Sequence, residues 1–246
     1  MYRTCWLRAA PALLVWLAAC SVPVDFSGRH RPPPTPKATS WETDTTEGAK
    51  AFEEGRYQDA EDSLELARER AAGGTGNDLA VAASLSNLAL VRRARGDLTG
   101  AIEAQQEALS IRERVEGADN PDVATTLNSL GGLYAARDDY AAAEPPLKRA
   151  LDIRERVLGA DDRYTAQSAN NLALLYAAQQ RYAEAEPLYR RAITVFEQRH
   201  DSAELTTTLE NYAAMLADTG RAKEAEEMER RARGLKAADV TEQPTR

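Results

Sequence analysis

The sequence is poor in the residues on which catalytic, metal and redox sites depend. Its 246 residues include two histidines, His30 and His200, and two cysteines, Cys5 and Cys20. Neither histidine has a cysteine or histidine companion at zinc-ligand spacing, and no Gly-x-Ser-x-Gly nucleophile motif occurs. The glycine-rich stretch 73–76 lacks the lysine of a phosphate-binding loop. We therefore predict that the protein is not an enzyme and has no catalytic residues, metal, cofactor or small-molecule substrate.

Basic charge and aromatic side chains are also scarce. The formal net charge is -8 and the pI is about 5.0, so the basic stripe of a nucleic-acid-binding protein is not expected. Aromatic residues make up 6% of the chain, whereas charged residues make up 28%. A two-layer sheet protein would need more aromatic and β-branched residues. The composition instead favours packed helices with small residues between them.

The N-terminus carries an apolar run, residues 9–19, preceded by Arg3 and Arg8. The run is too short to cross a hydrocarbon core of ~30 Å as a helix, but it fits the core of a signal peptide. The residues Leu-Ala-Ala-Cys at 17–20 resemble the lipobox of bacterial lipoprotein precursors at all four positions. The resemblance implies that Cys20 is lipidated and that the chain is cut just before it. An ordinary secretory signal and an uncleaved anchor are the alternatives.

Residues 20–43 are expected to form a lipidated cysteine followed by a tether. Five prolines lie between positions 23 and 36, which excludes a helix and favours an extended, polyproline-like chain. Ser21 stands where aspartate would signal inner-membrane retention in many enteric-type bacteria. The resemblance therefore implies a lipid-anchored protein of the bacterial cell envelope, at the outer membrane and facing the periplasm, with residues 1–19 removed.

From residue 44 to residue 236 the sequence repeats itself. The period is 42 residues, and 40 for the last unit. Five units follow, roughly 44–77, 78–119, 120–161, 162–200 and 201–236, with the first one shortened and residues 237–246 left as a disordered tail. The recurring positions, read from the third unit, are Leu130, Tyr134, Ala143, Leu147 and Ala150, which correspond in the fourth unit to Leu172, Tyr176, Ala185, Tyr189 and Ala192.

Within a unit the apolar residues follow helical spacing. Leu130 and Tyr134 share one face of a first helix, and Ala143 and Ala150 share one face of a second. The aspartate and glutamate at 44–47 resemble a capping box, which predicts that the first helix begins near residue 44. One hairpin cannot bury its own apolar face, so neighbouring hairpins must stack.

This pattern resembles the tetratricopeptide repeat, in the long form found in kinesin light chains and their bacterial relatives. The resemblance covers residues 44–236 and implies an all-α fold, an α-solenoid of about five stacked helix-turn-helix hairpins. It says little about a specific function, because the family is a generic binding scaffold.

In that family the first helices line a concave groove. The residues at the corresponding positions include a polar row, Asn87, Ser129, Asn171 and Asn211, flanked by Asn128 and Asn170. A side-chain amide both donates and accepts, so such a row can pair with the backbone of an extended peptide, as groove asparagines do in related repeats. We predict protein binding at Asn87, Asn128, Asn170, Asn171 and Asn211. The alternative is that these side chains are solvated or fix neighbouring loops.

Only Arg92 and Arg93 come near the predicted groove, so a clamp for a terminal carboxylate is not expected, and a neutral or mixed segment is the expected ligand. The sequence thus predicts a membrane-anchored scaffold that binds unidentified proteins in its groove. The alternative is an accessory or chaperone-like lipoprotein of an outer-membrane assembly, secretion or pilus machine.

Overall fold

The computed structural model describes residues 40–74 and 76–242. Within these ranges the chain is all-α and contains ten helices and no strand, which confirms the predicted fold class. Cys20, the lipobox and most of the tether lie outside the described residues. The helices are α1 (Trp41–Glu53), α2 (Tyr57–Ala72), α3 (Asp78–Ala94), α4 (Leu98–Glu116), α5 (Pro121–Ala136), α6 (Tyr140–Leu158), α7 (Arg163–Ala178), α8 (Tyr182–Gln198), α9 (Ser202–Asp218) and α10 (Ala222–Glu242).

The described chain divides into two compact units, with the boundary inside α5. In residues 40–133, α2 packs on both α1 and α3, and α3 packs on α4. The first core of this unit is small and apolar, and it is formed by Ala51, Ala60, Leu64, Leu88 and Val91. No helix in the described part of the chain is long and apolar enough to span a membrane.

In residues 134–242, each helix from α6 to α10 packs on the next, and α7 also touches α9. The core contains the repeated positions predicted from the sequence, among them Ala143, Leu147, Leu172, Ala185, Tyr189, Ala192 and Tyr212. The repeated alanines are fully buried because they stand where two helices approach most closely, and a longer side chain there would overpack the interface.

The turn after the first helix of each hairpin contains one residue whose backbone is in the left-handed conformation, with positive φ. Gly55, Gly96 and Gly220 hold this position in three hairpins, whereas Asp138 and Gln180 hold it in the other two with φ of 60° and 61°. The chain reverses there because the following backbone N–H groups bond back to the carbonyls of the last helical turn. Glycine adopts this conformation without the steric cost that a side chain adds.

The capping box predicted at 44–47 is wrong. α1 begins at Trp41 after Ser40, and Asp44 is a buried residue of its first turn. Its carboxylate accepts a hydrogen bond from Arg70 of α2, with Nη1 and Oδ2 2.6 Å apart. A partner distant in sequence therefore outcompetes the local backbone donors. At the other end, α10 continues to Glu242, past the predicted array boundary at 236.

Candidate protein-interaction face

The asparagines predicted to bind protein differ in their accessibility. Asn87 of α3 is half-buried, but Asn128, Asn170, Asn171 and Asn211 expose only 5%, 1%, 3% and 3% of their surface. These four side chains are largely covered by the chain itself, so they offer a ligand little surface in this conformation. Their role in binding stays a prediction.

Two of these asparagines meet each other within residues 134–242. Asn211 Nδ2 of α9 donates to Asn170 Oδ1 of α7, with the two atoms 3.4 Å apart. The Asn170 Nδ2 group is buried and has no hydrogen-bond partner among the described residues. The pair therefore links two successive first helices and leaves one amide N–H group unsatisfied between them.

The accessible part of the first helices in this unit is a narrow strip that we call the α7–α9 face. Its members are spaced by three, four or seven residues on each helix, as one side of a helix requires. They are half-buried or exposed, unlike the asparagines between them. The face consists of Gln167, Leu174 and Ala178 on α7 and of Glu204, Thr207, Ala214 and Asp218 on α9.

One end of the α7–α9 face carries a network of charged and polar groups. Gln167 Nε2 donates to Glu204 Oε1 across the two helices at 3.2 Å. Nearby, Arg163 Nη2 donates to Asp201 Oδ2 at 2.7 Å. Burial and the neighbouring Asp201 carboxylate raise the pKa of Glu204, while Arg163 and the bond from Gln167 lower it in part. Glu204 is thus a partly desolvated carboxylate whose nearest cation is already bound to another acid.

The other end of the face carries Asp218, the last residue of α9. It is exposed. Burial and the nearby Asp218 carboxylate raise the pKa of the Tyr182 phenol on α8, which locates the acid beside that helix. Two small residues of the face, Ala178 and Ala214, are exposed, so a ligand backbone can come close to the helices at these two positions.

In residues 40–133, the positions of α3 that correspond in sequence to the α7–α9 face carry uncharged side chains. Asn87 and Leu90 are half-buried there. Arg92, which the sequence placed near the predicted groove, donates instead to α2. Its Nε group lies 2.9 Å from Glu61 Oε1 and its Nη2 group 2.6 Å from Glu65 Oε1. Because this arginine is bound within the chain, it is not poised as a carboxylate clamp.

Sequence reasoning missed the ion pairs that join successive hairpins in residues 134–242. Arg181 Nη1 donates to Glu144 Oε2 at 2.6 Å, and Tyr176 donates its hydroxyl hydrogen to the same carboxylate. One hairpin later, Arg221 Nη1 donates to Glu186 Oε2 at 2.7 Å. The recurrence of glutamate directly after Ala143 and Ala185, with an arginine in the next hairpin, is the sequence signal that could have revealed them.

Each of these ion pairs joins the second helix of one hairpin to the turn inside the next hairpin. Arg221 holds the pKa of Glu186 at about 2, and the Arg181 guanidinium likewise lowers the pKa of Glu144. The described residues contain no group of histidine, cysteine and acidic side chains arranged to hold a metal ion. The geometry offers a surface for binding, formed by two helices that the rest of the unit holds in place.

Comparison with known proteins agrees with this arrangement. A search of curated proteins finds no significant match. The crystal structure of BtubC (BKLC) from P. vanneervenii superposes with a TM-score of 0.73 at 25% identity, over 83% of each chain. A putative kinesin light chain of Podosopora anserina with nearly identical TPR-like repeats gives 0.69 at 19% identity, over 81% of this chain and 96% of that one.

A third structure, the apo form of RapI, gives a TM-score of 0.67 at 17% identity. The match covers 82% of this chain but 55% of RapI, and at such identity it shows the fold alone. The sequence itself matches the profile of the tetratricopeptide repeat over residues 80–156 and 164–238, which is more than half of the chain. The chain belongs to the tetratricopeptide repeat family.

Proposed function

We propose that this chain is a membrane-anchored scaffold of the bacterial cell envelope that binds partner proteins through the exposed strips of its first helices. Tetratricopeptide repeats are generally protein-interaction scaffolds. The observation that carries the proposal is the α7–α9 face, where exposed small residues and polar groups lie over a rigid core. A strip of this kind accepts an extended segment or a helix without first having to rearrange.

The anchor is the second part of the proposal and depends on Cys20. The lipobox resemblance at 17–20 supports it, together with the proline-rich stretch that would hold the repeats off the bilayer. Metabolic labelling with a fatty-acid probe tests it. The wild-type chain should be labelled and Cys20→Ala should not; labelling of the mutant, or none of the wild type, would contradict the anchor.

The binding face is tested by photo-crosslinking in living cells. The burial of Asn171 and Asn211 makes them poor reporters, so the crosslinking residue is placed at Ala178 and Ala214, which are exposed on the face. Thr194, exposed on the second helix α8, is the matched control. Partners captured from the first two positions and not from Thr194 are expected. Capture from Thr194 alone would overturn the proposed face.

The identity of the captured partner also separates the two roles that the sequence left open. Components of a secretion, pilus or barrel-assembly machine would assign the accessory role, and other envelope proteins would assign the adaptor role. The scaffold carries out no chemistry in either role, and its effect is to raise the local concentration of its partners.

A further inference from the structure

The α7–α9 face carries two acidic side chains that lack an ion-pair partner among the described residues. α7 and α9 together contain one basic residue, Arg163, which pairs with Asp201. Of the three acids on α9, Glu210 pairs with Lys236 of α10 at 2.6 Å. Glu204 and Asp218 form no ion pair with any residue that the structure describes.

We propose that the α7–α9 face binds an extended, basic segment of a partner protein, with Glu204 and Asp218 receiving its lysine or arginine side chains. This inference rests on the proposed function and names the chemistry of the partner. It replaces the neutral or mixed segment that the sequence alone suggested.

Desolvation is the reason why a basic segment fits better than a neutral one. Any segment that covers the face removes water from both carboxylates, and burying an unpaired charge costs free energy. A neutral segment leaves that cost uncompensated and an acidic one adds repulsion, whereas a basic one supplies the missing counter-charge. Glu204 is already half-buried, and this partial desolvation raises its pKa.

The spacing of the two acids sets the spacing of the basic residues. Asp218 follows Glu204 by 14 residues on one side of α9, which corresponds to about 21 Å along the helix axis. An extended chain covers this distance in about six or seven residues. Between the two acids the segment would pass over Thr207 and Ala214, whose small side chains allow its backbone to come close.

The Asn170 amide at the boundary between α7 and α9 is a second polar group that the described residues leave without a partner. Its Nδ2 atom is buried and has no acceptor within the described chain, although its Oδ1 atom accepts from Asn211. A buried donor without an acceptor is uncommon in folded proteins. The backbone of an extended segment presents a row of carbonyl oxygens, which is the kind of acceptor that this donor lacks.

The test measures the binding of synthetic peptides to the full chain by fluorescence anisotropy at low salt. The probe is a labelled peptide of about 15 residues with two lysines about seven residues apart in an alanine, threonine and asparagine background. Two matched control peptides have the same sequence, except that both lysines are replaced by glutamate in one and by glutamine in the other. The lysine form should bind most tightly, and added salt should weaken its binding.

Four single-residue variants of the protein locate the binding. Glu204→Gln and Asp218→Asn should each raise the Kd of the lysine peptide about 2–5-fold. Glu226→Gln and Glu227→Gln, at exposed acids of α10 that form no ion pair with described residues, should leave it unchanged. These controls remove the same charge away from the face, so they separate local pairing from the effect of net charge.

The outcomes distinguish the inference from the proposed function. Tighter binding of the glutamate or glutamine peptide overturns the inference; if Ala214→Trp abolishes that binding, the face is still an interaction site and the proposed function stands. Equal effects of the face and control variants on the lysine peptide also overturn the inference. If no peptide of any charge binds and crosslinks from Ala214 are absent, both fail.

Discussion

Replacing Tyr189 with phenylalanine is expected to stabilise the unit formed by residues 134–242. The Tyr189 ring is fully buried in α8 and lies against the ring of Tyr212, with their centroids 5.6 Å apart. Its hydroxyl group is buried and has no hydrogen-bond partner in the described part of the chain. Leu147 stands at the corresponding position one hairpin earlier, so the site accepts a wholly apolar side chain.

The magnitude follows from the loss of one unsatisfied hydroxyl. Leaving a buried donor unpaired costs about 1–3 kcal/mol. Against this, the void left by one oxygen atom costs roughly 0.5 kcal/mol. Tyr189→Phe should therefore raise the free energy of unfolding by about 0.5–2.5 kcal/mol. For a protein of this size the midpoint of thermal unfolding should rise by about 2–4 °C per kcal/mol.

Urea denaturation followed by circular dichroism measures the effect, and alkaline pH provides a second measurement. Burial raises the pKa of Tyr189 in the folded state above the ordinary value of 10.0. Below pH 10 both states keep the phenol proton; above it only the unfolded state loses it. Wild-type stability should then fall by about 1.4 kcal/mol per pH unit from this residue, and the stabilising effect of Tyr189→Phe should grow.

The matched control is Tyr57→Phe, because the Tyr57 side chain is 38% exposed and water satisfies its hydroxyl group. That substitution should change the free energy of unfolding by less than about 0.5 kcal/mol. The reasoning would be refuted by a Tyr189→Phe variant that is less stable than the wild type. It would also be refuted if the stability of the variant and that of the wild type fell equally as the pH rises above 10.

Three further predictions concern an ion pair, a turn and a close contact. Glu186→Gln should cost about 1–2 kcal/mol of unfolding free energy at neutral pH, a value discounted for partial exposure. The pKa of Glu186 is about 2 in the folded state and 4.5 in the unfolded state, so the ion pair stabilises the fold fully above pH 4.5 and loses this effect as the pH falls toward 2. If Glu186→Gln were equally destabilising at neutral and at acidic pH, the prediction would be contradicted. Gln180→Gly should raise unfolding free energy in urea by about 1 kcal/mol, because Gln180 sits at a φ of 61°, and lowered stability would contradict this. Gly48→Ala should cost about 1–3 kcal/mol, since a Cβ there would lie 2.7 Å from Leu64 Cγ. The control is Gly234→Ala, where an added Cβ would have no neighbouring atom within 4 Å, and it should raise the free energy of unfolding by up to about 1 kcal/mol. Equal effects of the two substitutions in thermal melts would contradict the contact argument.

The fold could be predicted from the sequence because each repeat carries its own local signal. Alanine and leucine at helical spacing recur every 42 residues, and the structure buries Ala143, Leu147 and Ala150 together as this spacing requires. The start of α1 could not be predicted in the same way. Asp44 and Glu47 look locally like a cap, but the buried Asp44 carboxylate pairs with Arg70, a residue of another helix.

The candidate site, too, could be predicted from the sequence only in part. The helical spacing placed Asn211 in the polar row of the predicted groove and Asn170 beside that row, and the structure adds that these two side chains bond to each other. It did not reveal that their side chains are nearly buried, because burial depends on how closely α7 and α9 approach. It also missed the ion pairs of Glu144 and Glu186, whose arginine partners lie a whole hairpin later.

The sequence by itself thus determined the all-α repeat architecture and the absence of recognisable catalytic motifs, because both depend on local spacing and residue type. Only the tertiary structure decided which polar groups on the first helices remain accessible and which are already paired. Arg163 could have neutralised Glu204, but it is bound to Asp201, and Lys236 neutralises Glu210 instead. These pairings depend on distances between side chains far apart in the chain. Among the described residues, they leave Glu204 and Asp218 as the two acids of the face without an ion-pair partner.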